Sequence, residues 1–136
     1  MGNRTVFDTN IWISYFVNSR HKELEAMKVT NGVSFLRSLQ STAELKEVLS
    51  RQKFRKYGID VDFAIMLYKD LTEFYRTKKE FTDCPDPKDN FLFDLAIQGN
   101  AKYLVSGDKG VLETPVANKT LKVTTLTAFK EDLISR

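Results

Sequence analysis

The chain has 136 residues, 42% of them hydrophobic, and 21 Lys and Arg against 18 Asp and Glu for a formal charge of +3. That length fits one globular domain with a core of its own, residues 1–136, and no apolar run reaches the roughly 18 residues a membrane span needs, so a cytoplasmic protein without a membrane partner is expected. The single cysteine, Cys84, and single histidine, His21, exclude an internal disulfide, a multi-thiolate zinc site and designs built on several imidazoles, which leaves carboxylates as the main chemical resource.

Residues 4–7 form a short β-prone run ending at Asp8, and Ile11, Trp12, Tyr15 and Phe16 then recur at helical spacing. Asn31-Gly32 is turn material before a second β-prone run, residues 33–36. Ser41 can cap the next helix, which contains Leu45, Val48 and Leu49, and Glu44 stands three residues later at capping-box spacing, in the first turn. Residues 61–78 read as one longer helix with Phe63, Leu67, Leu71 and Phe74 on a core stripe. Cys84-Pro85-Asp86-Pro87 cannot be helical, and a helix should follow it with Phe91, Leu92, Leu95 and Ala96 buried, ending at Gly99-Asn100. The run Tyr103-Leu104-Val105 is a strand closed by the turn Ser106-Gly107-Asp108, and residues 121–124 and 126–134 complete the chain as a last strand and a last helix. Strands alternating with helices imply an α/β fold with a central parallel sheet and helices on both faces.

Ligands of open parallel sheets bind outside the carboxyl ends of the strands, and four acids fall there or nearby. Asp8 follows the first strand, Glu44 the second, Asp108 the strand 103–105, and Asp89 opens the helix leading into that strand. Each alone can be a cap or a strand-end residue. Together they pose an electrostatic problem, because two carboxylates about 4 Å apart repel by roughly 4 kcal/mol at an effective dielectric near 20. Convergence therefore needs a cation, and hard oxygen ligands suit Mg²⁺ or Mn²⁺. With these four acids set aside, 21 basic groups face 14 acidic ones, a surface suited to a polyanion but also to ordinary solvation. Arg51, Lys53, Arg55 and Lys56, or Arg76, Lys78 and Lys79, are the candidate phosphate guides.

FDTN at 7–10, AELKEVLSRQKF at 43–54, DPKDN at 86–90 and YLVSGDKG at 103–110 together resemble the PIN-domain family, closest to its bacterial and archaeal branch of toxins from toxin-antitoxin pairs. The resemblance covers nearly the whole chain in order. It implies an Mg²⁺- or Mn²⁺-dependent ribonuclease acting on RNA, with an antitoxin partner and a homodimer, the latter using apolar residues around Trp12 to Phe16. Motif by motif, Asp8, Glu44, Asp89 and Asp108 match the family's catalytic and metal-holding acids, and Asn10 and Ser106 match polar positions that orient the site. Because Leu39-Gln40-Ser41-Thr42 is short and polar where apolar residues often precede the glutamate, Glu47 is the fallback for Glu44. Asp94 lies about 140° around the helix from Asp89, which makes it a supporting residue, and Asp86 reads as a turn residue.

Two other readings stand beside this one. A haloacid-dehalogenase-like phosphatase also begins with a strand-end aspartate but wants a second one two residues later, where this chain has Asn10. A non-catalytic module of the same fold would dock RNA or protein and have no use for an acidic cluster that repels itself. A Cys84–His21 nucleophile pair has nothing in the sequence to bring it together.

Overall fold

The computed structural model describes residues 3–51, 54 and 56–135. The elements in chain order are β1 (Asn3–Phe7), α1 (Thr9–Val17), α2 (His21–Asn31), β2 (Val33–Arg37), α3 (Leu39–Leu49), α4 (Val61–Leu71), β3 (Thr72–Phe74), a 3₁₀ turn (Pro87–Asp89), α5 (Asn90–Gln98), β4 (Tyr103–Val105), α6 (Lys109–Leu112), β5 (Lys122–Thr124) and α7 (Leu126–Ile134). All five strands are parallel, in the order β3-β2-β1-β4-β5. The expected α/β fold is thus observed.

Alternation along the strands sends side chains to two cores. Phe7, Phe35, Tyr103 and Val105 pack on one face with residues of α1, α2, α3, α4 and α7, where aromatic rings carry much of the contact: Phe7 meets Phe35 at 4.8 Å between centroids and Trp12 meets Tyr68 at 4.9 Å. Val6, Leu36 and Leu104 point the other way, against α5 and Val111 of α6. Both faces are covered, as a parallel sheet requires. Trp12, Tyr15 and Phe16 are all buried in the first of these cores, so the homodimer contact expected around them has no surface there to use.

Two further expectations are corrected. The helix 61–78 ends at Leu71, and Thr72–Phe74 forms the edge strand β3, pairing Phe35 with Thr72 and Arg37 with Phe74. Ala64, Tyr68 and Leu71 are its buried residues, while Phe63 and Phe74 are exposed. Pairing with β2 overrides the helical spacing that ran on to Phe74. Helix α3 also begins a turn earlier than Ser41. Its N-cap is Ser38, whose hydroxyl accepts from the Ser41 amide at 3.1 Å while the Ser41 hydroxyl accepts from the Ser38 amide at 2.8 Å, a reciprocal capping box made from two serines. Glu44 is consequently a second-turn residue without a capping role.

Candidate active site

The strand order reverses at β1. The chain leaves β1 toward β2 and β3 on one side and returns to β4 and β5 on the other, which opens a crevice at the carboxyl ends of β1 and β4. Asp8 follows β1, and Ser106 to Asp108 follow β4. The two loops are tied together: the Asp8 amide donates to the Val105 carbonyl at 2.9 Å, and the Ser106 hydroxyl donates to Asp8 Oδ2 at 2.6 Å while accepting from the Asp108 amide at 3.0 Å. A buried serine thus holds the carboxylate of one loop and the backbone of the other.

Asp89 enters from the turn before α5. Like Asp8 and Asp108 it occupies an N-cap position, and none of the three closes a capping hydrogen bond through its side chain. A capping bond therefore does not account for Asp89 and Asp108, while the Asp8 carboxylate is held by Ser106 and favoured by the Asn10 and Thr9 amides. They are instead coupled to one another. Burial raises the Asp8 pKa, the Ser106 hydroxyl and the Asn10 and Thr9 amides oppose the rise, and the Asp108 charge adds to it. Asp89 is pushed up to about 6, first by desolvation, then by the charges of Asp8, Asp86 and Asp108, and by a side-chain hydrogen bond with Asp108 that favours the protonated form. Among the described residues no Lys or Arg forms an ion pair with any of the three.

The other sequence candidates fall as follows. Asn10 is exposed in the first turn of α1 and contributes its backbone amide toward Asp8. Glu44 is half-buried on α3, in line with the buried Ser41 and Val48, but no hydrogen bond or charge coupling described here joins it to the aspartates. Glu47 is exposed and pairs with Arg51 at 3.2 Å, which uses up both the fallback acid and one proposed phosphate guide. Asp94 is buried and faces away: its Oδ1 accepts from the Glu80 amide at 3.1 Å, the Phe81 amide at 2.8 Å and Gln98 Nε2 at 3.2 Å. It anchors a loop. Asp86 is the turn residue expected, accepting from the Lys88 amide at 3.0 Å, yet its charge also bears on Asp89. The three-residue spacing of Asp86 and Asp89 was the available signal for that. Lys53 and Arg55 lie outside the described residues.

The donor set suits a hard divalent cation: the side chains are oxygen donors of one charge sign, with no basic partner among the described residues. The carboxylates are not yet a closed cage, since among the described residues no three His, Cys, Asp or Glu side chains are grouped tightly enough to hold a metal ion by themselves.

Comparison with known proteins agrees with this architecture. Residues 4–110 match the family model described as a PIN domain. The fold is similar to that in the crystal structure of VapBC2 from Rickettsia felis bound to a DNA fragment from their promoter, with a TM-score of 0.59 at 17% identity over 90% of this chain and 98% of that one. No curated protein matches the chain. With four-fifths of its length inside the family model, the chain belongs to the PIN domain family.

Proposed function

We propose that this PIN domain, from a family whose members are generally nucleases, is a metal-dependent ribonuclease that hydrolyses RNA phosphodiester bonds, and that it serves as the toxin of a toxin-antitoxin pair. The observation that carries the catalytic reading is the mutual coupling of Asp8, Asp89 and Asp108 at the switch point of the sheet without a basic partner. The partner reading draws on the fold shared with VapBC2 from Rickettsia felis.

Asp8, Asp89 and Asp108 are the residues to hold Mg²⁺ or Mn²⁺, with Glu44 as the fourth acid from α3. Bound there, the metal supplies counter-charge for the carboxylates and the Lewis acidity that water activation and departure of the leaving oxygen require. Ser106 favours the ionised form of Asp8 against its burial and aims it by donating to Oδ2, and its acceptor bond from the Asp108 amide fixes the second loop. Asn10 remains the orienting group at the rim.

Asp108→Asn is the direct test. Asp108 is exposed, so the variant should keep the parent's circular-dichroism spectrum while losing Mn²⁺-supported cleavage of single-stranded RNA. Undiminished cleavage would sink the assignment. Glu44→Gln run beside it decides whether the fourth acid belongs to the site.

A further inference from the structure

A cavity of about 480 Å³ opens on the other side of the turn that carries Asp89, within the roughly 300–1,000 Å³ range of small-molecule sites. Leu39 and Gln40 of α3 line it, Lys79 and Phe81 form a wall from the segment after β3, and Lys88 and Phe91, one residue before and two after Asp89, complete the lining used here. Leu39 is 75% exposed although it opens a helix beside this cavity. Lys79 and Lys88 are exposed and, among the described residues, form no ion pair.

The wall after β3 is held rigidly. Asp94 accepts from the amides of Glu80 and Phe81, Gln98 Oε1 accepts from the Lys78 amide at 2.9 Å, and Gln98 Nε2 donates to the Lys78 carbonyl at 2.8 Å. Phe81 is further stacked on the buried Phe93 at 4.5 Å. The cavity offers aromatic rings on a pre-set wall, the side-chain amides of Gln40 and Asn90, and two ammonium groups in no ion pair among the described residues. Asp94 also lines it, with its Oδ1 already accepting three N–H bonds. These are features with which proteins take an unstacked base and its phosphate. A hydrophobic peptide has no need of the two ammonium groups.

We propose that this cavity is a nucleotide subsite of the nuclease site: it takes the nucleotide adjoining the scissile phosphate of single-stranded RNA, with the base against Leu39, Phe81 and Phe91, its edge read by the Gln40 amide, and its phosphate toward Lys79 and Lys88. The inference rests on the catalytic reading above for its register, and it adds a source of base preference that the aspartates cannot supply.

The test uses the full chain in EDTA with the four common ribonucleoside 5′-monophosphates as probes, mapped by amide and side-chain NMR shifts. The resonances of Leu39, Gln40, Phe81 and Phe91 should move, more for some bases than others. Leu39→Ala should weaken binding about tenfold, the scale of two buried methylenes removed from contact with the base, and Gln40→Ala should level the differences among bases. Both positions are exposed, so folding is not at stake. Shifts confined to other parts of the molecule, no shifts at all, or parent-like binding by both variants would overturn the subsite. RNA cleavage by a parent that leaves the cavity untouched by nucleotides does the same while sparing the catalytic reading. Nucleotide binding in the cavity of a parent that cleaves no RNA overturns the catalytic reading and with it the assignment to a scissile strand.

Discussion

The two ends of the parallel sheet treat charge in opposite ways. At the amino ends of the strands each polar group meets its complement: Arg4 Nε donates to the Gly99 carbonyl at 2.7 Å, Asn3 Nδ2 donates to the Asn31 carbonyl at 2.9 Å, and Tyr103 donates to Asp132, which also lies 3.8 Å from Lys122. At the carboxyl ends of β1 and β4 the Ser106 hydroxyl joins the Asp8 carboxylate to the Asp108 amide, and the charges of Asp8, Asp86 and Asp108 bear on Asp89. One end pairs its charges, and the other holds carboxylates that have no basic partner among the described residues.

Helix α5 repeats the lesson within one element. Asp94 has three N–H donors on one carboxylate oxygen, whereas Asp89 has only other carboxyls and a rising pKa. Five residues separate an anchored carboxylate from one without a basic partner among the described residues, a difference that the helical angle between them foreshadows.

The contrast would break most visibly in activity. Asp8→Asn and Asp89→Asn should each lower metal-dependent RNA cleavage by at least about a hundredfold, since even outer-sphere partners of a metal site are worth about 10–100-fold, while Tyr103→Phe should leave cleavage intact and cost about 1 kcal/mol of stability through its lost hydrogen bond. Activity retained in Asp8→Asn, measured as initial rates on a labelled single-stranded RNA, would contradict the division between the two ends. Metal addition sharpens the same contrast. At about 100 times its dissociation constant a native-state ligand stabilises by roughly 2.7 kcal/mol, so millimolar Mn²⁺ should raise the parent's melting temperature by several degrees and that of Asp8→Asn far less. Equal rises in the two would mean the metal binds elsewhere.

A smaller effect separates the two aspartates of α5. Asp94→Ala leaves two backbone amides and the Gln98 amide without their acceptor, which should cost about 1–3 kcal/mol, seen as a lower denaturation midpoint. Asp94→Asn keeps an oxygen in place and should cost little. If Asp94→Asn abolishes cleavage while the fold is retained, Asp94 belongs with the metal site and its loop contacts are incidental.

The parts of this division that the sequence disclosed are those governed by local chemistry. Asp8 and Asp108 were legible because a β-prone run ends at each, Asp89 because two prolines bar a helix before it, and α7 because residues 126–134 carry a clear period. The start of α3 was misplaced since two Ser residues three apart compete for the cap, and only the hydroxyl geometry of Ser38 and Ser41 decides between them. β3 was hidden inside a helical period because its extended form depends on pairing with β2, a contact between distant segments. α2 buries only Leu24 and Met27, too thin a stripe to mark a helix. The field at Asp89 and the anchoring of Asp94 depend on tertiary neighbours and could not be read locally.

The finest test of the contrast is the pH dependence of the metal-free protein. The folded-state pKa of Asp89 is raised to about 6 from an ordinary value of 3.8, so the folded state binds this proton more tightly than the unfolded chain does. Linkage then fixes the sign. The stabilisation from protonated Asp89 is fully present below about pH 4 and is lost as pH rises through about 6, after which three ionised carboxylates remain in mutual repulsion. Asp8, also raised, acts in the same direction. Melting followed in EDTA from pH 4 to 7 should therefore show a decline that Asp89→Asn flattens, because the amide carries no charge at any of these pH values. Mn²⁺ should reverse the slope, since the ionised carboxylates that repel one another without metal are the ones that bind it. Asp132, beside Lys122 and Tyr103 at the opposite end, supplies the control: Asp132→Asn should leave this dependence on pH and metal in place. A metal-free protein whose stability is flat over this window, or whose slope survives in Asp89→Asn, would show that the aspartates do not repel one another as their placement requires.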